Sequence, residues 1–191
     1  NKITEFLNGY LAVDDIEDSC WNGLQFEGSD SVKRAVFAVD AGKDSFEEAA
    51  RRGDDMLIVH HGHFWTHQNP SIVGWSRERL KILYENDISL YACHLPLDRH
   101  PKVGNNAEIL RIMGAKIEDP FYILKGKNVG WTGVWKKPRQ LGDLVDLLNN
   151  KLDTECRVVS CGNDRIKSAA VCSGGGGSSG CNSALEAGVD F

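Results

Sequence analysis

An apolar run, Met56-Leu57-Ile58-Val59, passes without a polar break into His60-His61-Gly62-His63-Phe64-Trp65. Such a run reads as a buried strand, and one that closes on two adjacent imidazoles ends in a site. A second apolar run, Ile88-Ser89-Leu90-Tyr91-Ala92-Cys93, ends in His94-Leu95-Pro96-Leu97-Asp98. Both strand ends therefore carry side chains that can hold a metal or move a proton.

The segments around these runs set the fold class. Ile3, Phe6, Leu7, Tyr10 and Leu11 have helical spacing and predict an amphipathic helix. Trp21 to Gly28 is rich in turn formers. Lys33 to Asp40 (KRAVFAVD) reads as a buried strand. Asp44 with Glu47 three residues on predicts a capped helix through Ala50. Ser76 is the expected cap of a helix to Tyr84, and Asn105 or Asn106 of a helix stopped by Gly114. Strand and helix thus alternate three times, which predicts an α/β layer structure with a largely parallel sheet. Ligands of such sheets bind beyond the carboxyl ends of the strands, where His60, His61 and His94 to Asp98 fall.

The second part is less regular. Strands are expected over 121–125, 129–135, 157–160 and 166–172, and an amphipathic helix around Leu141, Leu144, Val145 and Leu148. A boundary near residue 125 gives two α/β domains, 1–125 and 126–191. Ser173 to Gly180 (SGGGGSSG) is either a flexible connection or a phosphate cradle before a helix, without the Lys-Ser/Thr ending of a P-loop. Gly188 to Phe191 reads as a turn and the first residues of a further strand, so the chain is expected to continue beyond Phe191.

Imidazole and carboxylate suit Zn, Fe, Mn, Co or Ni. Neighbouring side chains on an extended strand alternate in direction, so His60 and His61 are better placed to serve two ions than to chelate one. Asp98 can complete part of a two-metal cluster, with His94 as an outer partner or a proton-transfer group. His63 is a possible third ligand, while His67 and His100 read as solvated loop residues. Phe64 and Trp65 fit either core packing or the stacking of a purine ring. No G-x-S-x-G, H-E-x-x-H or cysteine-nucleophile constellation is present.

The formal charge of -5 argues against a general nucleic-acid binder, which needs a basic face. No apolar run reaches the roughly 20 residues of a membrane span, and the N-terminal stretch lacks a signal-peptide pattern. Six scattered cysteines without a CxxC pair read as reduced thiols of a cytoplasmic protein.

Taken together, WNGLQFEG, the strand closing on HHGHFW, HLPLDRHPKVGNNAEIL, SGGGG and ALEAGVDF resemble the GTP cyclohydrolase 1 type 2 family, the Nif-three-like dinuclear metal-binding proteins. The resemblance runs along the whole chain. It implies two α/β domains with mixed, largely parallel sheets and a toroidal homohexamer with metal sites on its inner cavity. It implies two divalent ions per subunit, with His60 and His61 on different metals and Asp98 as a further ligand. The family takes its remaining ligands from a later His-x-x-x-Glu segment that lies beyond this sequence, so three of five expected ligands are here. The activity implied is metal-dependent hydrolysis of a purine nucleotide, with His94 or a nearby group moving protons. The alternatives are a metal-holding or metal-delivering ring or interaction scaffold, and a degraded copy that keeps only the fold.

Overall fold

A computed structural model, describing residues 2–191, opens with helix α1 (Lys2–Leu11). Its Ile3, Leu7 and Leu11 point inward and join Met56, Tyr91 and Cys93 in one apolar cluster. The turn-rich segment that follows contains a strand, β1 (Gly23–Phe26). Next come β2 (Ala35–Asp40), α2 (Lys43–Arg52), β3 (Met56–His61), α3 (Gly74–Glu85) and β4 (Ser89–Ala92). The expected alternation of strand and helix is present, and it does what such crossovers require: β2, β3 and β4 are parallel neighbours. The sheet order is β1-β4-β3-β2, with β1 antiparallel to β4 and bulged between Leu24 and Phe26. Glycine is needed just past β1, since a Cβ on Gly28 would sit 2.3 Å from the Asp87 carbonyl oxygen.

Strand alternation sorts the core of this sheet. Leu57, Val59, Leu90 and Ala92 share a cluster with Phe46 and Ala49 of α2 and Leu80 and Leu83 of α3. Met56 and Tyr91 face α1 instead. One expectation fails on the edge strand. β2 was expected to be buried, yet Phe37 is 75% and Val39 62% exposed. β2 has a neighbour on one side only, and Val36 and Ala38 are the residues that pack against the α2 and α3 cluster.

The capping expectations also fail. The residues preceding α2 and α3 are Gly42 and Val73, and neither helix has a side-chain cap. Asp44 instead lies within the first turn of α2, where its charge still favours the helix dipole. Ser76 is turned inward and buried within α3.

Compact packing divides the chain at Leu97/Asp98, into Asn1–Leu97 and Asp98–Phe191. A short helix, α4 (Leu95–Asp98), spans that division. The second unit contains α5 (Asn105–Ile112), β5 (Lys116–Leu124), β6 (Lys127–Gln140), α6 (Leu141–Leu152), β7 (Arg165–Val171) and α7 (Gly177–Ala187). Its three strands form an antiparallel sheet, β5-β6-β7. Residue 125 lies in the turn between β5 and β6. That two-residue turn has positive φ at both Lys125 (49°) and Gly126 (79°), the geometry that closes a tight hairpin. Leu110, Trp135, Leu144, Leu148, Ile166 and Ala169 build the core beneath this sheet.

Residues 157–160, expected as a strand, are not in one, and Val159 is 84% exposed. Two adjacent valines carry β propensity, but here no apolar neighbours bury them. The glycine-rich run is partly helical, since α7 begins at Gly177. At the far end of this unit the Asp190 carboxylate accepts hydrogen bonds from Lys167 N (2.9 Å), Ser168 N (3.0 Å) and Ser168 Oγ (3.0 Å). The Lys167 N–H is the main cause holding its carboxyl below the usual range. The folded value is depressed, so the stabilisation is present above the ordinary carboxyl pKa and is lost as the pH falls below it. Asp190→Asn should therefore cost about 1 kcal/mol near neutral pH and much less near pH 2, measured as urea midpoints against the native chain. A penalty independent of pH would refute this.

Candidate metal centre

The parallel pairing of β3 with β4 sets Val59 beside Ala92, so the residues that follow emerge side by side. His60 and His61 end β3, and His94 lies two residues past β4. The ring centroids are 4.6 Å apart for His60–His61, 5.0 Å for His60–His94 and 5.6 Å for His61–His94. One ring nitrogen from each lies within 4.8 Å of the others. Three nitrogens about 2.1 Å from one tetrahedral ion lie about 3.4 Å apart, so the ring nitrogens would have to close by up to about 1.4 Å to share an ion.

Every Nδ1 of the trio faces an acceptor. His60 Nδ1 donates to the Cys93 carbonyl (3.0 Å), His61 Nδ1 to Asp40 Oδ1 (2.7 Å) and His94 Nδ1 to Asp18 Oδ1 (2.9 Å). A neutral imidazole that donates from Nδ1 carries its lone pair on Nε2. Three rings thus offer three Nε2 lone pairs, with the outer partners that orient metal-binding histidines. That donor set fits a borderline divalent ion such as Zn, Co, Ni or Fe.

Asp18 and Asp40 carried no signal when read along the chain. Asp40 could have been found by aligning the parallel strand ends, since it pairs with His61 across β2 and β3. Asp18 lies in an irregular segment before β1. Its side chain is 2% exposed. Burial pushes its carboxyl up, but hydrogen bonds from His94, Asn22, Cys20 N and Leu95 N outweigh this and hold it at about 2. The same segment is stitched to the histidine loop. Trp21 N donates to Phe64 O (3.1 Å) and Thr66 N to Ser19 O (2.8 Å). Gln25 Oε1 accepts from His63 N (2.7 Å) and Phe64 N (3.1 Å). Gly62 permits this approach, because a Cβ there would lie 2.3 Å from Gln25 Nε2.

His63 is not in the trio. It is buried, its Nε2 bonds Ser76 Oγ (2.9 Å), and burial with the nearby Arg79 charge lowers its pKa. His67 is exposed, as expected, whereas His100 is half-buried and its Nδ1 accepts from Lys102 N and Val103 N. Phe64 and Trp65 pack on the core cluster, and Trp65 also stands edge-on to His94 at 5.1 Å. A cleft of about 220 Å³ reaches His61, Asp40, Trp75 and Arg79. A cavity of about 470 Å³ lies between Trp21, Phe64, Trp65 and Trp75.

Asp98 belongs to the second unit. It is 2% exposed, and its Oδ1 accepts from Asn105 Nδ2 (2.7 Å). Asn106 Nδ2 donates to the Asp98 carbonyl (3.1 Å) and to Val129 O (2.8 Å), while its Oδ1 accepts from Ser173 N (2.6 Å). The two asparagines expected to cap α5 are thus spent on Asp98, β6 and the start of the glycine run, and Gly104 precedes the helix. Among the described residues no cysteine is in a disulfide, and no helix is long and apolar enough to cross a membrane.

Comparison with known proteins agrees with the family resemblance read from the motifs. The chain is 38% identical to a GTP cyclohydrolase 1 type 2 homolog of Archaeoglobus fulgidus, over all of this chain and 75% of that protein. It is 38% identical to one of Pseudomonas aeruginosa, over the same shares. Among solved structures it is similar to the protein ybgI, of unknown function, with a TM-score of 0.89 and 35% identity over 99% of this chain and 74% of that one. A protein of Thermus thermophilus matches with a TM-score of 0.81 and 35% identity, over 99% of this chain and 73% of its own. The model of the Duf34/NIF3 (NGG1p interacting factor 3) family matches residues 1–191, and the chain belongs to that family.

Proposed function

We propose that the chain carries the metal-binding part of a metal-dependent hydrolase that acts on a purine nucleotide, as the name of its curated relatives suggests. The observation that carries this reading is the convergence of His60, His61 and His94 with every Nδ1 anchored. His60, His61 and Asp98 would hold two divalent ions of the Zn, Fe, Mn, Co or Ni class. Such ions supply Lewis-acid polarisation and a water nucleophile at neutral pH. His94 would take and return the proton at its Nε2. The cavity walled by Trp21, Phe64, Trp65 and Trp75 has the size and apolar walls that suit a planar heterocycle.

The family resemblance further supports a homohexameric ring in the cytoplasm. Phe37 and Val39 on the unpaired edge of β2 are the kind of apolar surface that a second copy covers. The test is to incubate metal-loaded full-length protein with GTP and follow opening of the guanine imidazole ring by absorbance and mass. Turnover that a chelator abolishes supports the proposal. GTP left intact over a long incubation, with metal passing readily to an acceptor, overturns it in favour of a metal-delivery role.

A further inference from the structure

Asp18 is 76 residues from His94 along the chain, yet its carboxylate meets that ring with both oxygens, at 2.9 and 3.1 Å. It also accepts from Asn22 Nδ2 (2.9 Å), Cys20 N (3.1 Å) and Leu95 N (2.9 Å). Asn22 then accepts from the backbone N–H of His94 through its Oδ1 (2.7 Å). His94 is therefore gripped twice by one short segment, at its backbone by Asn22 and at its ring by Asp18. The ring contact has a specific chemical effect: it keeps the proton on Nδ1 and the lone pair on Nε2.

The geometry points to Asp18 as the positioning residue for His94. It fixes the tautomer in which the ring proton is on Nδ1 and the lone pair on Nε2. This role rests on the reading of His94 as the proton-transfer group.

The donors around Asp18 make its substitution informative. In Asp18→Asn the amide oxygen is drawn to the Oδ2 place, where Asn22 Nδ2 and Leu95 N both donate. The amide NH2 then takes the Oδ1 place, at the loss of the bond from Cys20 N, and donates to His94 Nδ1, which forces the ring proton onto Nε2.

The test is nitrogen-15 NMR of the full chain at pH 8, metal-free, with the His94 signals assigned by their loss in His94→Gln. The native protein should show Nδ1 protonated and Nε2 bare. Asp18→Asn should invert this in most molecules, and Asp18→Ala should give a mixture. Asn22→Ala, which leaves the ring contact in place, should keep the native tautomer. Chelator competition in the same samples should find zinc affinity at the His60–His61 strand end changed by less than about 10-fold in Asp18→Asn, below the 10- to 100-fold typical of losing the outer partner of a metal ligand. If GTP is turned over, kcat should fall about 100-fold or more with KM little changed.

A native His94 protonated on Nε2 overturns the assignment even if no variant folds. So does a folded Asp18→Asn that retains Nδ1–H. Inversion of the tautomer in a protein that never consumes GTP would leave the positioning intact and remove the hydrolase reading. GTP turnover at the native rate in Asp18→Asn would do the reverse.

Discussion

His60→Ala should lower the affinity for zinc or cobalt by more than about 100-fold, beyond the 10- to 100-fold typical of losing an outer-shell partner. His60 sits where β3 ends, between the other two rings at centroid distances of 4.6 and 5.0 Å. Its Nε2 has no substitute on that strand, because the next inward histidine, His63, is committed to Ser76. The fold should survive. The ring gives up its bond to the Cys93 carbonyl, and His60 is half-buried, so water can replace it at a cost of about 1 kcal/mol. Titration against a chromophoric chelator, beside a thermal melt, separates the two effects. Unchanged affinity in a folded variant would remove His60 from the ligand set.

Asn106→Ala should destabilise the second unit by about 3 to 5 kcal/mol, a large fraction of a typical domain's total stability. Asn106 is fully buried. Its amide serves the Asp98 carbonyl, Val129 O and Ser173 N at once, so truncation leaves three groups without that partner. Asn106→Asp distinguishes hydrogen bonding from shape. It preserves volume but turns the Nδ2 donor into a charged acceptor facing two carbonyl oxygens, and should cost at least as much near neutral pH. Urea denaturation of both variants gives the comparison. A loss below about 1 kcal/mol for Asn106→Ala would mean that water readily replaces the amide.

These cases show where reading the chain succeeds and where it stops. Met56 to His61 is legible because a strand inside a parallel sheet is apolar on both faces, and its ending then stands out. β2 has the same kind of composition, but only its place at the sheet edge decides that Phe37 and Val39 face outward. Asp44, Ser76 and Asn105 or Asn106 all look like helix caps, since capping is the commonest local use of short polar side chains. Ser76 and the asparagines are instead drawn to distant partners that local spacing cannot reveal. β1 was hidden by its glycines: Gly23 and Gly28 read as turn formers, yet Gly23 begins the strand and Gly28 follows it. The histidines of the site could be named from the chain. Asp18 could not, because its partner lies on the far side of four strands and two helices.

The connectivity of the two sheets has a consequence for the order of assembly. β5 and β6 are joined by a two-residue turn, so their pairing is local and should form on the microsecond scale of hairpins. The parallel sheet has no such shortcut. Met56 must meet Ala35 on one side and Ser89 on the other, each across an intervening helix. Long-range pairing of this kind is slow, because chain entropy is lost before any contact is gained. His94 reaches His60 and His61 only once β4 has docked on β3. A divalent ion held there would enter a site the sheet has already built, so adding metal early in refolding should not speed the formation of that sheet.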